Sequence, residues 1–307
     1  LSSYANALDD HINLILSQNF INKNNIASKS IAVAVDGINS VGGVAIPKFL
    51  ESLGIKKIKK INCNPDGNFN HNPEPLPENI TDLCSEVKRG KYQLGIVVDP
   101  DADRLVLVDE RGEPFGEEYT LVAAAEYLLS KNHGASTCSN LSSTLALKNI
   151  TEKYGGKYFS SAVGEINVVQ VMKEKKCLIG GEGNGGVIYP MTHYGRDSLI
   201  GIGLIISLLV ERHISLSELK KELPEYNIFK TKLNYKGEIS SIISDVKKLY
   251  DESLIDTTDG VKINFSNSWI HIRKSNTEPV IRIISEASSM LEAEKICIEI
   301  MSKLRIV

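Results

Sequence analysis

Three carboxylates stand at alternate positions in the segment GIVVDPDADRLVLVD, residues 95–109: Asp99, Asp101 and Asp103. Apolar runs on both sides predict buried strands, so the acids lie in a loop where mutual repulsion and desolvation oppose folding. A hard divalent cation would remove that cost, because alternate residues of an extended loop point to one side and each can supply oxygen. The segment therefore predicts a metal site, with Arg104 placed to meet an anion beside the metal.

Other interpretations of this acidic segment fit its residues to different degrees. The spacing resembles the start of an EF-hand, but the sixth position is Arg104 where that loop requires glycine, and the flanks are strands instead of helices. A strand followed by Asp-x-Asp is also typical of haloacid-dehalogenase phosphatases, although a third Asp stands where they usually have Thr or Val. An exposed turn with solvated acids remains the alternative to a metal site.

A glycine-rich segment, GGEGNGG at residues 180–186, carries polar side chains that could bind hydroxyl groups. It formally contains G-x-G-x-x-G, but a dinucleotide-binding loop must open a helix, and here VIYP follows as extended chain. The glycines instead favour close approach of backbone and ligand, with Glu182 accepting hydrogen bonds from hydroxyls and Asn184 donating or accepting. A flexible hairpin fits the segment equally well.

A third segment, RKSNTEPVIR at residues 273–282, combines two arginines with neutral hydrogen-bond donors. Guanidinium groups, hydroxyls and amides suit the oxygens of a phosphate group. The segment therefore predicts a phosphate site of five residues: Arg273, Ser275, Asn276, Thr277 and Arg282. An ordinary polar turn between two strands is the alternative, because Ser, Asn and Pro are common in turns.

The elements that must position these segments alternate between strand and helix. An N-terminal helix is predicted over residues 3–18, followed by an Asn- and Lys-rich linker and a buried strand at 31–36. Pro77 suits the first turn of a helix that ends before Gly90. Continued alternation favours mostly parallel sheets covered by helices, in which ligands collect at the carboxyl ends of strands.

The last third of the chain has a different pattern. The run LIGIGLIISLLV at 199–210 predicts a buried helix, with Asp197 as its cap, because it is well short of the roughly 20 residues that cross a bilayer. A Ser215–Glu218 capping box opens a short helix, which Pro224 terminates. The strands and helices after this boundary predict a smaller α+β unit.

Length, charge and cysteine usage restrict the possible classes of protein. The 307 residues, 42% of them hydrophobic, can form a large core and suggest about two domains by length alone. A formal charge of −3, with Lys and Arg interspersed among acids, argues against nucleic acid as a partner. Neither a membrane segment nor a targeting signal is evident. Five scattered cysteines without C-x-x-C spacing fit a reducing cytoplasm.

The three segments, in this order and at these separations, resemble the α-D-phosphohexomutase family over all 307 residues. Members have four domains, and the resemblance identifies the chain with the second, third and fourth, at residues 1–113, 114–224 and 225–307. The fold that this implies is α/β, with two α/β domains of mixed sheets covered by helices and a smaller α+β C-terminal domain. The start of the chain resembles the helix that links the first and second domains.

The resemblance also implies a chemistry. The three aspartates would bind Mg²⁺, Glu182 and Asn184 would hold sugar hydroxyls, and the arginine-containing segment would grip the phosphate that does not react. Family members transfer a phosphoryl group from a phosphoserine to a hexose phosphate, which forms a hexose 1,6-bisphosphate intermediate. The phosphoserine loop, T-A-S-H-N-P, belongs to the first domain. The nearest string here, Asn70–Pro73, has no hydroxyl at its first position and is interpreted as a structural loop.

The chain is therefore expected to lack the group that transfers phosphate, and to be inactive without a first domain of the same polypeptide. The alternative is a sugar-phosphate-binding protein without catalysis. Glu165 stands where family members acting on mannose or glucose phosphates often carry His or Lys. An acid there resembles phosphoglucosamine mutases, so glucosamine phosphate is the expected substrate, and phosphomannomutase or phosphoglucomutase activity is the alternative. Glu165 also fits a first-turn helix acid, and Arg196 is a further candidate.

Overall fold

The computed structural model describes residues 6–235, 237–275 and 278–306. Within these residues, three sheets follow one another along the chain, each with helices packed against it. The first two sheets are mixed and the third is antiparallel, which confirms the predicted α/β class with a smaller C-terminal α+β unit.

The first sheet has the strand order β2-β1-β3-β4, in which β1 runs parallel to β2 and β3, and β4 runs antiparallel to β3. In chain order, the elements are α1 (Ala7–Leu16), α2 (Lys23–Ser28), β1 (Ala32–Asp36), α3 (Gly42–Ser52), β2 (Lys57–Ile61), α4 (Thr81–Gly90), β3 (Leu94–Val98) and β4 (Leu105–Val108).

Two predictions for this part were wrong. The polar segment expected to be a linker contains α2, because the Asn22 side chain accepts a hydrogen bond from the Asn25 N–H and caps a short helix. Pro77 does not open the following helix. It starts a separate 3₁₀ turn, Pro77–Asn79, and Ile80 interrupts the helical backbone before α4, which runs through Gly90.

The second sheet repeats this arrangement, with the order β6-β5-β7-β8, β5 parallel to β6 and β7, and β8 antiparallel to β7. Its elements are α5 (Glu117–Lys131), β5 (Thr137–Asn140), α6 (Leu145–Lys153), β6 (Tyr158–Ser161), α7 (Glu165–Lys175), β7 (Ile179–Glu182), β8 (Gly186–Ile188), α8 (Ser198–Arg212) and α9 (Leu216–Glu222).

Helix α8 joins the first two sheets into one hydrophobic core. It is buried almost throughout, as its apolar sequence predicted, and it packs against α1, α2, α3 and α5. Its first turn is capped by Asp197, and the predicted Ser215–Glu218 capping box opens α9. In the described part of the chain, no single helix is long and apolar enough to span a membrane. Taken together, α8 and α9 have a sufficient length and apolar composition, but they are bent by 88° relative to each other.

The C-terminal part has its own core beneath a five-stranded antiparallel sheet of order β10-β11-β12-β13-β9. Its elements are β9 (Asn227–Asn234), α10 (Ile239–Leu249), β10 (Ile255–Asp256), β11 (Val261–Asn264), β12 (Trp269–Lys274), β13 (Val280–Ala287) and α11 (Met290–Lys303). Because β12 and β13 pair directly, Ser275 after β12 and Glu278 before β13 lie at one end of this sheet.

Candidate active site

The acidic loop joins β3 to β4, as predicted. Asp99, Asp101 and Asp103 place a carboxylate oxygen each within 4.8 Å of one another. Asp99 is buried, and its Oδ1 accepts hydrogen bonds from the backbone N–H groups of Asp103 at 3.1 Å and Arg104 at 3.0 Å. Three carboxylates at this spacing can supply the oxygen ligands of one hard cation.

The electrostatics of the loop favour a cation. Burial, followed by the charge of Asp99, raises the pKa of Asp103 to about 7, and burial also raises the pKa of Asp99. Among the residues that the structure describes, Oδ1 of Asp103 is buried without a hydrogen-bond partner, since the Nε of Arg104 lies 3.9 Å away. A buried carboxylate oxygen without a partner is costly, and a metal ion at this position would satisfy it.

The glycine-rich loop between β7 and β8 lies directly against the acidic loop. The Leu105 N–H donates to the Gly185 carbonyl at 3.0 Å, and Arg104 pairs with Gly186 in an antiparallel bridge. Gly185 has a φ of 91°, and a Cβ there would lie 2.5 Å from the Leu105 carbonyl oxygen. The close approach predicted for these glycines therefore exists, but at Gly185 the approaching group is another strand and not a ligand.

Glu182 and Asn184, the predicted sugar-binding residues, are already engaged with the protein. Oε1 of Glu182 accepts from Asn140 Nδ2 at 2.9 Å and from the Gly164 N–H at 3.1 Å, and its Oε2 accepts from Arg196 Nη1 at 3.2 Å. Oδ1 of Asn184 accepts from a backbone N–H of its own loop at 3.3 Å. A carboxylate has about four acceptor positions, so Glu182 can still bind a hydroxyl.

Arg196 links the three acidic parts of the site. Its Nε donates to Glu165 at 2.8 Å, and its two Nη atoms contact Glu182 and Asp103. Burial alone would lower the pKa of Arg196, but Asp103 and the other carboxylates raise it overall. Gly186 permits this position, because a Cβ there would lie 2.3 Å from Arg196 Cδ. The guanidinium is therefore a fixed positive charge between the acidic and glycine-rich loops.

The predicted phosphate-binding arginines lie opposite one another on adjacent strands, Arg273 on β12 and Arg282 on β13. Arg273 is 8% exposed, and burial lowers its pKa. Its buried Nε is without a hydrogen-bond partner within the described ranges, which fits an anion-binding group. Ser275 follows β12 and is also buried. Asn276 and Thr277, the other two predicted members, lie outside the described residues.

A cleft of about 570 Å³ brings the sugar and phosphate candidates together. The predicted residues in its wall are Arg104, Glu165, Glu182, Asn184, Arg196, Arg273 and Arg282. The aspartates adjoin it through Arg104 and Arg196, which contact Asp99 and Asp103. Such a volume is typical of a site for a small ligand.

Sequence reasoning missed other charged residues of this cleft, Glu118 and Lys230. Burial raises the pKa of Glu118 to about 8, and Lys230 forms an ion pair with Glu117 at 2.6 Å. In the sequence, the two glutamates resemble an ordinary acidic first turn of a helix. Only the packing of β9 against that turn makes them part of the site, so no local signal identified them.

Comparison with protein families matches three consecutive parts of the chain. Residues 9–112 match the phosphoglucomutase/phosphomannomutase alpha/beta/alpha domain II, residues 116–226 match alpha/beta/alpha domain III, and residues 231–303 match the C-terminal domain. The order and identity of these matches confirm the assignment made from the three sequence segments.

Individual relatives carry mutase names that differ in the sugar. A phosphoglucomutase/phosphomannomutase of Thermococcus kodakarensis is 37% identical over 266 residues, which are 86% of this chain and 58% of that protein. A probable phosphoglucosamine mutase of Methanopyrus kandleri is 30% identical over 300 residues, covering 95% of this chain and 66% of its own length. The chain thus spans about three fifths to two thirds of the length of these relatives.

Solved structures share the fold. A phosphoglucomutase/phosphomannomutase family protein of Burkholderia thailandensis superposes with a TM-score of 0.83 at 25% identity, over 97% of this chain and 64% of that one. An Aspergillus fumigatus N-acetylphosphoglucosamine mutase in complex with GlcNAc-6P and magnesium has a TM-score of 0.64 at 14% identity, over 97% and 64% of the two chains. The chain belongs to the phosphoglucomutase/phosphomannomutase family, the α-D-phosphohexomutases, and contains its domains II, III and IV.

Proposed function

We propose that this chain is the metal-, sugar- and phosphate-binding part of a phosphohexomutase that interconverts hexose 6-phosphates and hexose 1-phosphates in the cytoplasm. The proposal is supported by one cleft in which polar side chains able to bind hydroxyls and paired arginines come together, with a carboxylate cluster adjoining it. The relatives are mutases, which are isomerases. Domain boundaries at 113/114 and 224/225 would divide these roles among three domains.

The metal in this proposal is Mg²⁺, held by Asp99, Asp101 and Asp103. When bound, it would neutralise charge on the transferring phosphoryl group. The buried Oδ1 of Asp103, which has no hydrogen-bond partner in the described part of the chain, supports a cation there. The donor set is all oxygen, which Mg²⁺ prefers. Arg196 already contacts Asp103, so the guanidinium would share this carboxylate with the ion.

The remaining residues would bind and orient the substrate. Arg273 and Arg282, with Ser275, Asn276 and Thr277, would hold the phosphate that does not react, because paired guanidinium groups match its oxygens. Glu182 and Asn184 would bind sugar hydroxyls from the opposite wall. Arg104, beside the aspartates, would support the negative charge of the reacting phosphate.

The phosphoryl carrier in this proposal is a phosphoserine on a first domain of the same polypeptide, with hexose 1,6-bisphosphate as the intermediate. The chain alone would then bind ligand without turnover, since a group transfer needs its nucleophile. Calorimetry of the chain with Mg²⁺ tests the metal site. We expect binding by the wild type and loss of measurable binding in Asp101→Asn and Asp103→Asn. Unchanged affinity in both variants would refute the site.

We further propose glucosamine 6-phosphate as the preferred sugar, with Glu165 facing its ammonium group. Glu165 is partly exposed and forms an ion pair with Arg196, which offsets only part of the negative charge of its carboxylate. A charge-assisted hydrogen bond is worth about 1.5–3 kcal/mol, or about one to two powers of ten in discrimination. Because Arg196 already neutralises part of the charge, we expect the lower end of that range.

The full-length gene product tests this substrate choice. The kcat/KM values for glucosamine, glucose and mannose 6-phosphates are compared in the wild type and in Glu165→Gln, which keeps size but loses charge. We expect a preference for glucosamine 6-phosphate that shrinks in the variant. Equal or better use of mannose 6-phosphate by the wild type would overturn the choice. An unchanged ratio in the variant would remove Glu165 from it.

A further inference from the structure

A second group of metal-ligating side chains lies behind the acidic loop: His11, His193 and Asp197. One ligand atom of each lies within 4.8 Å of the other two. His11 belongs to α1, whereas His193 and Asp197 belong to the segment that precedes α8. The group therefore joins parts of the chain that are 186 positions apart.

The geometry of the group is close to that of a metal site. Nε2 of His11 lies 2.9 Å from Oδ2 of Asp197, and Nε2 of His193 lies 3.3 Å from the same oxygen. Ligand atoms at 2.0–2.1 Å from a tetrahedral Zn²⁺ are separated by about 3.3 Å. The distances from Asp197 Oδ2 to the two imidazole nitrogens are close to this value, and the two rings, tilted by 51°, have centroids 5.4 Å apart.

Asp197 is held in place by its other oxygen. Oδ1 accepts from the backbone N–H groups of Leu199 at 2.9 Å and Ile200 at 3.4 Å, which leaves Oδ2 directed at the imidazoles. Metal-ligating carboxylates are commonly fixed by such hydrogen bonds. The N-terminus of α8 opposes a nearby cation weakly, and the Asp197 charge offsets that effect.

We propose that His11, His193 and Asp197 bind a divalent transition-metal ion of the Zn²⁺ or Co²⁺ class, at a site separate from the aspartate site. Two imidazoles and one carboxylate favour such ions over Mg²⁺, which prefers oxygen ligands. The side chains of His11 and His193 are 27% and 43% exposed, so water can reach the ion as a fourth ligand.

Bound at this position, the ion cross-links α1 to the start of α8. Ser198, next to Asp197, donates its N–H to the Ala102 carbonyl at 3.4 Å, and Ala102 lies in the acidic loop. The ion thereby reinforces the wall behind the proposed Mg²⁺ site without contacting substrate. Its role is structural, and it should not be replaced by Mg²⁺.

Titration with Zn²⁺ and with Co²⁺ tests the proposal, using chelator-treated protein in excess Mg²⁺ to occupy the aspartate site. We expect one Zn²⁺ per chain by calorimetry and a visible absorption band of four-coordinate Co²⁺. His11→Ala and His193→Ala should each weaken binding by at least about 100-fold, because loss of a ligand exceeds the 10–100-fold cost of losing its supporting partners. His133→Ala, at an exposed histidine elsewhere, is the matched control.

Thermal unfolding separates metal binding from damage to the fold. Zn²⁺ should raise the Tm of the wild type and of Asp101→Asn, but not that of His193→Ala, whose Tm without metal shows whether it folds. Two results would overturn the proposal: no Zn²⁺ or Co²⁺ binding by the wild type in excess Mg²⁺, or binding that both histidine variants retain. The three side chains would then form a hydrogen-bonded group only.

Discussion

The two walls of the cleft are held in place by different kinds of contact. The acidic and glycine-rich loops contact each other directly through main-chain groups, at the Leu105–Gly185 hydrogen bond and the Arg104–Gly186 bridge, and the Arg196 side chain links their carboxylates. The C-terminal sheet, which carries the arginines, meets residues 141–145 through side chains. A main-chain contact depends on glycines but little on charge, whereas a buried polar contact depends on the identity and ionisation of each side chain.

The side-chain contact is centred on Glu286 and Lys262, both buried. Oε2 of Glu286 accepts from the Leu145 N–H at 2.8 Å and from Trp269 Nε1 at 2.7 Å. Lys262 Nζ donates to the Leu141 carbonyl at 2.7 Å. The position of the arginines relative to the rest of the cleft therefore depends on a few charged groups in a region of low dielectric.

The largest expected effect comes from Glu286→Ala. This change leaves two buried donors without their acceptor and removes the negative charge that faces Lys262, so we expect a loss of about 3–5 kcal/mol in the free energy of unfolding. Trp269 is the only tryptophan of the chain and contacts Glu286, so its fluorescence in urea reports on this region.

Glu286→Gln is the matched control, because its amide oxygen can still accept from both donors while the charge is lost. We expect the free energy of unfolding to fall by less than half as much in this variant as in Glu286→Ala. Equal losses in the two variants would mean that the charge stabilises the contact, and that the hydrogen bonds contribute little.

A second prediction tests the main-chain contact through Gly185→Ala. A residue with a side chain would have to adopt a positive φ at this position, and its Cβ would lie 2.5 Å from the Leu105 carbonyl oxygen. We therefore expect the free energy of unfolding to fall by about 3 kcal/mol. Gly134 has a φ of 80°, and no atom of the described residues lies within 4 Å of a Cβ added there. Gly134→Ala should cost only about 1 kcal/mol, for the backbone conformation alone. Unfolding in urea measures both free-energy changes. Similar losses in the two variants would mean that steric contact between the two loops contributes little to the cost of Gly185→Ala.

The contrast between contacts of whole elements and contacts of single side chains also separates what could be predicted from the sequence from what could not. Apolar patterns identified α8 and the strands on both sides of the acidic loop, because burial of a whole element dominates its local sequence. The short helix α2 was missed, because its start depends on one asparagine side chain in a polar segment. The helix start predicted at Pro77 was also wrong, because the backbone at Ile80 separates the 3₁₀ turn from α4.

At the candidate site, compact motifs predicted residues that line the cleft, whereas lining residues brought in by packing were not predicted. Glu182 and Arg273 stand in segments whose composition indicates a ligand. Arg196 was only a further candidate, because its partners Glu182 and Glu165 are 14 and 31 positions away. The space it occupies exists because Gly186 has no side chain, and a sequence does not show which residue fills such a space.

A third prediction concerns pH, through His271 in the side-chain contact. Burial lowers the pKa of His271 to about 4, while the unfolded value is about 6.5. The unfolded chain therefore binds the proton more readily below pH 6.5, and stability falls as the pH drops from 6.5 toward 4. Protonation of His271 in the unfolded chain should therefore lower the free energy of unfolding by about 2 kcal/mol at pH 5 relative to pH 7.

His271→Gln removes this proton and keeps polar atoms near both partners of the ring. Lys262, Arg273 and Asp259 also act on the pKa of His271, and they remain in the variant. We expect the difference in unfolding free energy between pH 7 and pH 5 to be smaller in the variant by about 2 kcal/mol. An equal pH dependence in both proteins would assign the acid sensitivity to carboxylates elsewhere.

The smallest expected effect is that of Ser142→Ala, which tests a single hydrogen bond across the same contact. The Ser142 hydroxyl lies 2.8 Å from Nδ1 of His271, whose Nε2 lies 2.6 Å from the Asp259 carbonyl oxygen. Because that carbonyl requires a proton on Nε2, Nδ1 of the neutral ring accepts from the serine hydroxyl. The change should cost about 1 kcal/mol at pH 7. Ser130, whose hydroxyl donates within its own helix, provides the control.

At pH 4, where His271 begins to carry its proton, Nδ1 can no longer accept from the serine hydroxyl and must donate to it instead. Ser142→Ala would then remove the acceptor of a charged donor, so we expect its cost to rise above the value at pH 7, whereas the cost of Ser130→Ala should stay below about 0.5 kcal/mol at both pH values. Urea unfolding of the two variants at both pH values measures this. If Ser142→Ala costs no more than Ser130→Ala throughout, this hydrogen bond does not hold the C-terminal sheet, and its position depends instead on charged groups such as Glu286, Lys262 and the Lys230–Glu117 ion pair.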